Sequence, residues 1–552
     1  MSAARAQQYV EAGIWNSSTL ADRLAVAAAA KPDHLAVVDR DGHRVRTYAQ
    51  LDRDVDAMAN HLVELGVETG DVVAVQLPNW YETVVIDIAI LRIGAVLNPM
   101  LPLYREHELA HMLNLAQTKV LFTPGVYRGF DFTAMIGRLR PKVPLLQHHI
   151  VIDAEDLSHE RDALPASPSV RKPQFPSVDA ARVSELIFTS GTEATPKAVM
   201  HTEQTTNSAV QAIWASLGLG DEVVWMPSPI GHSTGFNYGV RSAVYFGLTL
   251  VLQDKWVPEV ALRVIEKRRC TFTLSATTFL SDLIAAADRL GGDLRSLSAF
   301  GSGGSPIPAS IVNAAEAHGI KVLRLYGSTE TLGATWNRPD SPLEKLVNTD
   351  GPPINGVDVE IRDDTGARVV DVPGEIFVRG PSTAVGFFAD PTRTAETFSS
   401  DGWVATGDIG ILGADGYLTV VGRKKEILIR GGLNIAPREI EDLMIELPAI
   451  SAVAVIGIPD ERLGELTCAC VVWAPDTAPA SLQEIVQDLT DRGVARYKLP
   501  QALATFDDLP MTPSGKIRKV ELLDSVTAGR VPVVKVGSHA RPPDETKREE
   551  RL

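Results

Sequence analysis

The spacing of apolar residues divides the chain into three textures. In the first, runs of helical period alternate with runs of strand length. Thr47 and Gln50 form a capping box, and Leu51, Val55, Met58 and Leu62 follow on one helical face. The spacing predicts a helix that stops at Gly66. Val72 to Leu77 reads as a strand, Pro78 and Asn79 as a turn, and Val84 to Leu91 as the next helix. Alternation of this kind predicts βαβ units on a parallel sheet. It persists to about residue 340. Residues 1 to about 18 read as an irregular lead-in. Segment 156–178, rich in Ser, Pro and charge, reads as a surface excursion.

The second texture begins after Pro339. Short strands bounded by Gly and Pro (Val357 to Ile361, Gly374 to Val378, Tyr417 to Val421) predict an antiparallel, barrel-like section. The third begins at about Lys425. Ile440, Leu443, Met444 and Leu447 mark one face of a helix opened by Pro437. Ala452 to Ile456 and Thr467 to Trp473 read as strands, and Leu482 to Arg492 as a second helix. The expected fold class is therefore α/β and α+β. A large N-terminal domain, 1–424, holds βαβ subdomains and the barrel-like section. A small, mobile α+β domain covers 425–525. The tail from 526 ends in RPPDETKREERL, which is too charged to pack, and disorder is expected over 526–552.

Composition narrows the function classes. With 552 residues, more than one domain is expected. The net charge of −16, with no basic tract inside the folded part, argues against a nucleic-acid partner. The longest apolar stretch, Val84 to Met100, is broken by Asp87, Arg92 and Asn98, so no integral membrane segment is expected. The N-terminus lacks a signal-peptide layout. Of three cysteines, Cys468 and Cys470 lie two apart and would face one side of a strand. They read as small apolar residues, a usage that suits a reducing, cytoplasmic setting.

The candidate chemistry centres on VSELIFTSGTEATPKAVMHT, 183–202. Val183 to Phe188 reads as a buried strand, and Thr189, Ser190, Gly191 and Thr192 follow at its end, with Lys197 beyond. Backbone amides, hydroxyls and an ammonium on one flexible turn are suited to wrapping a polyphosphate. It is not a Walker A loop, because Pro196 and Ala198 occupy the places of its second Gly and its Ser/Thr. The alternative is an ordinary polar surface loop.

The stretch resembles the phosphate loop of the adenylate-forming superfamily: acyl- and aryl-CoA ligases, adenylation domains and firefly-type luciferases. Against the usual T-S-G-T-T-G-x-P-K-G, Glu193, Ala194 and Ala198 are departures. Five further stretches match in the family's order: MPSPIGHSTGF at 226–236, LRLYGSTE at 323–330, Thr406-Gly407-Asp408, GRKKEILIRGGLNIAPREIE at 422–441 and PMTPSGKIRK at 510–519. GSGGSPIP, 301–308, resembles the glycine-rich segment beside the adenine and acyl pocket.

The resemblance implies roles. Thr189, Ser190, Gly191, Thr192 and Lys197 would hold the phosphates of ATP, and Gly303, Gly304, Tyr326, Gly327 and Ser328 would line the nucleotide. Thr329 would reach the α-phosphate and Glu330 would hold Mg²⁺. Asp408 would accept from the ribose hydroxyls, with Arg423 on the ribose and phosphate side. His232, Phe236, Ser302, Leu332 and Gly333 would form the acyl pocket, with Phe236 and Leu332 limiting its depth. Lys425 would be the hinge, Gly431 and Gly432 the channel for coenzyme A, and Lys516 the catalytic lysine of the first half-reaction.

TSGTE, the GHSTGF region, YGSTE and GRKKEILIRGGLNI together look most like a narrower subgroup, the bacterial short- and medium-chain fatty acid–CoA ligases and cyclohexanecarboxylate–CoA ligases, so the departures look like features of that subgroup. The implied activity is ATP-dependent ligation of a medium-chain, branched or alicyclic acid to coenzyme A through an acyl-adenylate. Two other readings stay open: an adenylating enzyme that loads a carrier protein, and a non-catalytic nucleotide-binding protein. The oligomeric state is open as well, a homodimer being one option.

Overall fold

The structure is a computed structural model, and it describes residues 3–39, 42–152, 175–189, 196–303, 307–430, 433–460, 463–475, 477–492, 494–512 and 516–535. The chain divides into two compact units, one ending at Val420 and the next beginning at Val421.

The first unit contains three larger sheets and the two-stranded pair Val126–Tyr127 and Phe130–Asp131. The first runs, by strand, Leu332–Trp336, Lys321–Ser328, Ala299–Gly303, Phe272–Leu274, Val223–Met226, Thr249–Leu252, Leu35–Asp39 and Arg44–Thr47. Its interior pairs are parallel, and the two ends are antiparallel. The second runs Gly386–Phe387, Ala198–Thr202, Val183–Phe188, Val96–Pro99, Val72–Val75, Val120–Pro124 and His148–Ile152. The helix Tyr48–Glu64 starts at the expected Thr47–Gln50 capping box and buries Leu51, Val55, Met58 and Leu62. The helix Tyr81–Arg92 is buried along its whole length, which is why its sequence shows no polar face.

The third sheet carries the expected antiparallel section: Arg368–Val369, Asp358–Arg362, Gly374–Arg379, Val404–Leu412 and Leu418–Arg423. The second unit folds the helices Pro437–Met444, Leu482–Asp491 and Lys519–Thr527 with a mixed sheet built on the long antiparallel pair Ile450–Asp460 and Gly464–Trp473. Cys468 and Cys470 are buried on the same face of that pair as free thiols, and Cys270 is buried in the first unit.

Two expectations on order need correction. The lead-in is helical over Ala3–Glu11, because Tyr9 packs on Trp15 at 5.1 Å and the Trp15 indole donates to the Pro381 carbonyl at 3.0 Å. The chain also stays ordered past 526. Val533–Lys535 pairs antiparallel with Ala502–Thr505, using apolar residues that the charged composition further on obscures. Residues 536–552 lie outside the described part.

Candidate active site

In the first unit, two strand ends meet. Val183–Phe188 and Ala198–Thr202 form an antiparallel hairpin, and the Thr189 amide donates to the Lys197 carbonyl at 3.0 Å. Residues 190–195, among them Ser190, Gly191, Thr192 and Glu193, lie outside the described residues. Lys197 is half-buried, with its ammonium 5.5 Å from the centre of the Phe387 ring.

The other strand end is that of Lys321–Ser328. Gly327 is required there by space: a Cβ would lie 1.9 Å from the Leu332 carbonyl oxygen. The turn is tied by the Ser328 amide, which donates to the Thr331 hydroxyl at 3.1 Å. Leu332 closes it at φ +56, a conformation that costs a non-glycine residue energy and recurs at functional sites.

His201 joins the two ends. It is fully buried on the hairpin, and its Nε2 meets the Thr329 carbonyl at 2.8 Å. A carbonyl only accepts, so Nε2 carries the proton and donates. Burial lowers the His201 pKa to about 4, so the ring is neutral near pH 7 although the Glu330 carboxylate favours its charged form. The Glu330 carbonyl accepts from the Ala384 amide at 2.8 Å. The successive carbonyls of Thr329 and Glu330 are thus each held by a donor.

Beneath the hairpin lies a buried ionic cluster. The Arg241 guanidinium donates to Glu185 and to Glu203, each at 2.5 Å, and all three side chains are excluded from solvent. Its Nε also donates to the Asn237 side chain at 2.9 Å. Burial pushes the Glu185 and Glu203 pKa values up, against the pull of Arg241. Burial also opposes the charge on Arg241, but the two carboxylates outweigh it and hold the guanidinium protonated. Arg241 ends the π-helical turn Phe236–Arg241, so the cluster fastens the hairpin to the 226–236 motif.

On the opposite side, the Tyr326 hydroxyl donates to Asp408 Oδ2 at 2.7 Å, and both residues are buried. The Asp408 amide donates to the Thr406 hydroxyl at 3.2 Å, and Gly407 stands at φ +71, which suits glycine. Asp408 is therefore fixed at the end of the Tyr326 strand.

A sequence profile described as AMP-binding enzyme matches residues 24–388, and one described as AMP-binding enzyme C-terminal domain matches 439–516. The chain belongs to the AMP-binding enzyme family. It is 37% identical over 529 residues to the medium-chain fatty-acid–CoA ligase of Escherichia coli, covering 93% of this chain and 92% of that protein. It is 32% identical over 507 residues to a Mycobacterium tuberculosis propanoyl:CoA ligase whose acyl group carries a methyl-dioxo-octahydro-indenyl ring system, covering 89% and 96%. The ATP-bound structure of MatB from Rhodopseudomonas palustris superposes with a TM-score of 0.82 at 26% identity, covering 92% and 99%.

In this AMP-binding enzyme the residues expected on the acyl side are placed differently from one another. His232 is half-buried and caps a short helical turn, its Nδ1 accepting from the Thr234 amide at 3.2 Å. Ser302 is buried, 3.3 Å from the Thr277 hydroxyl. Phe236 is fully buried beneath the Arg241 guanidinium, 5.5 Å from it. The large side chains against the glycines are Tyr238 and Trp336: a Cβ at Gly333 would lie 3.5 Å from the Tyr238 oxygen, and one at Gly301 would lie 2.6 Å from the Trp336 ring.

Among the described residues no cluster of three or more His, Cys, Asp or Glu side chains could hold a metal unaided. A single half-buried carboxylate, Glu330, beside the Thr329 hydroxyl still fits Mg²⁺, which takes one or two carboxylates and otherwise waters and phosphate oxygens.

The remaining candidates belong to the second unit. The Lys516 amide donates to the Thr512 hydroxyl at 3.0 Å, and the Lys516 carbonyl accepts from the Thr512 amide at 2.6 Å. Lys516 is exposed just before the helix Lys519–Thr527, and residues 513–515 lie outside the described part. Arg423 and Lys425 are exposed, Lys425 within the single turn Lys424–Glu426. Leu428–Arg430 and Leu433–Ile435 pair on either side of Gly431 and Gly432, which lie outside the described residues, as does Gly304.

The sequence reading missed His201, Glu185, Glu203 and Arg241. Glu185 had a legible signal, a lone charge inside the apolar run VSELIF. His201 had none.

Proposed function

We propose that this chain is an AMP-forming acid–thiol ligase that joins a carboxylic acid to coenzyme A through an acyl-adenylate. The observation that supports this most is the His201–Thr329 hydrogen bond, which places the phosphate-loop hairpin against the Thr329–Glu330 turn. ATP would lie across that junction, with its ribose on Asp408 and its adenine against Tyr326.

A carboxylate is a poor acyl donor, because oxide would have to leave. Attack of a carboxylate oxygen on the α-phosphorus releases pyrophosphate and leaves a mixed anhydride with AMP. A thiolate then attacks the acyl carbon and AMP departs. Two anions must meet in the first step, so charge neutralisation dominates. Lys197, Arg423 and Lys516 supply cations, and the Thr189 and Thr329 hydroxyls donate to phosphate oxygens. Mg²⁺ held by Glu330 would neutralise phosphate charge. The three free, buried cysteines support a reducing, cytosolic setting.

The acid is of medium length, branched or alicyclic. Tyr238 and Trp336, which lie against Gly333 and Gly301, would set the depth of the pocket. Acid-dependent pyrophosphate release, measured across an acid panel, tests both statements. The kcat/KM should peak for acids of about six to ten carbons, and each methylene near the optimum should be worth roughly tenfold or more. A sixteen-carbon acid that outperforms the whole medium-chain group would overturn the size assignment. No release with any acid would overturn the ligase.

The second half-reaction calls for a turn of the smaller unit, since Lys516 and the Gly431–Gly432 segment serve one carbonyl in succession. Proline at 425 fixes φ and restricts Lys424. Lys425→Pro should therefore leave ATP–pyrophosphate exchange near normal and cut acyl-CoA formation by about tenfold or more. Wild-type acyl-CoA formation by the folded variant would exclude rotation at Lys425.

A further inference from the structure

The turn between the strand Val72–Val75 and the helix Tyr81–Arg92 carries a buried asparagine whose side chain reaches across to the first sheet. Asn79 is 4% exposed. Its Oδ1 accepts from the Ile230 amide at 2.8 Å. Its Nδ2 donates to the carbonyls of Ser228 at 2.8 Å and Gln253 at 3.1 Å, with that of Met226 at 3.4 Å. An amide needs the oxygen and carbonyls need the NH₂ group, so these partners fix which way the side chain points. Leucine would offer neither function there, and aspartate could not donate. The next residue repeats the attachment: the Trp80 indole donates to Asp254 at 3.1 Å.

Asn79 thus holds the start of the 226–236 motif. Gly231 follows, where a Cβ would lie 2.3 Å from the Met100 carbonyl oxygen, and then half-buried His232. The same loop reaches the glycine-rich segment. The Ser228 hydroxyl donates to the Leu274 carbonyl at 3.2 Å and lies 3.0 Å from the Ser275 hydroxyl. The Ser275 amide donates to the Gly301 carbonyl at 3.0 Å, one residue before Ser302. Ser228 and Ser275 are buried like Asn79. One polar line therefore joins the two segments assigned to the acid. The nucleotide side has its own tie, the His201–Thr329 hydrogen bond.

We infer that Asn79 is a positioning residue for the acid: through Ser228 it fixes the His232 loop against the Gly301–Ser302 segment. This rests on the ligase reading and adds to it a residue of the second sheet. Displacement of a positioning group by about 1 Å can cost up to a hundredfold in rate.

ATP–pyrophosphate exchange with a preferred medium-chain acid tests this, with KM determined separately for acid and ATP. Asn79→Ala should raise KM for the acid by about tenfold, while KM for ATP stays within about twofold of wild type. Ser228→Ala removes only the hydroxyl contacts, so it should move the acid KM the same way by a smaller factor. It carries the test should Asn79→Ala fail to fold. A lowered melting temperature with the acid KM unchanged would assign Asn79 to folding alone and overturn the inference. So would equal rises in the KM values for acid and ATP. Exchange by the wild type with no acid at all would sink the ligase reading, and the inference with it.

Discussion

Lys516→Ala should slow acyl-adenylate formation by about a hundredfold or more, as removal of one preorganised donor typically does. Thioester formation from supplied acyl-adenylate should be nearly spared. The expectation follows from where charge builds. In the first step a carboxylate approaches a polyphosphate, and a cation at the α-phosphate lowers that barrier; in the second, a neutral acyl carbon meets a thiolate and AMP leaves. The amide and the carbonyl of Lys516 are both bonded to Thr512, which fixes the backbone from which the ammonium would act. Quenched-flow measurement of the two half-reactions separates the outcomes. Equal losses in both would show that Lys516 shapes the site generally, and no loss in the first would remove it from the mechanism.

Arg241→Met should destabilise the first unit by about 3–5 kcal/mol, the usual result of stripping one partner from a buried ion pair. Glu185 and Glu203 would then be two buried carboxylates with no cation between them. Their pKa values are already raised by burial, and loss of Arg241 raises them further. A carboxyl whose folded pKa lies above its unfolded value contributes stability below the unfolded pKa and loses it as pH rises through the folded one. The variant's deficit should therefore be smallest in mild acid and grow toward neutral pH. Urea unfolding midpoints across that range give the test. A further variant with Glu185→Leu and Glu203→Leu added should recover much of the loss, since apolar replacement of a whole buried cluster is often neutral. A deficit independent of pH would point to lost packing instead.

How far the sequence could be read depended on where the information lies. The capping box at Thr47 and Gln50 and the alternation after it are local, and the helix Tyr48–Glu64 appears where they place it. Asp408, expected at a strand end, lies inside the strand Val404–Leu412, whereas the strand ends at Thr189 and Ser328 were legible because hydroxyls and glycines interrupt apolar runs there. What joins them was not. His201 reaches Thr329 across 128 residues, and Arg241 spans 56 residues to Glu185. No periodicity within either segment encodes such a partner. The residues expected on the acyl side show the same limit. Phe236 lies beneath Arg241, and Tyr238 and Trp336 lie against Gly333 and Gly301, contacts that the sequence around Phe236 and Leu332 does not announce. Which face of a π-turn points inward depends on its extra residue, and composition does not carry that.

The central claim is that the acid is activated on AMP before it meets the thiol. Its most direct test is a single-turnover reaction with ATP, Mg²⁺ and a preferred acid, first without coenzyme A and then with it added. The account predicts an enzyme-bound acyl-adenylate and one equivalent of pyrophosphate before the addition. Conversion to acyl-CoA and AMP should follow at the rate of the second half-reaction. Acyl-CoA formed with ADP and phosphate, or no adenylate before the thiol arrives, would contradict it.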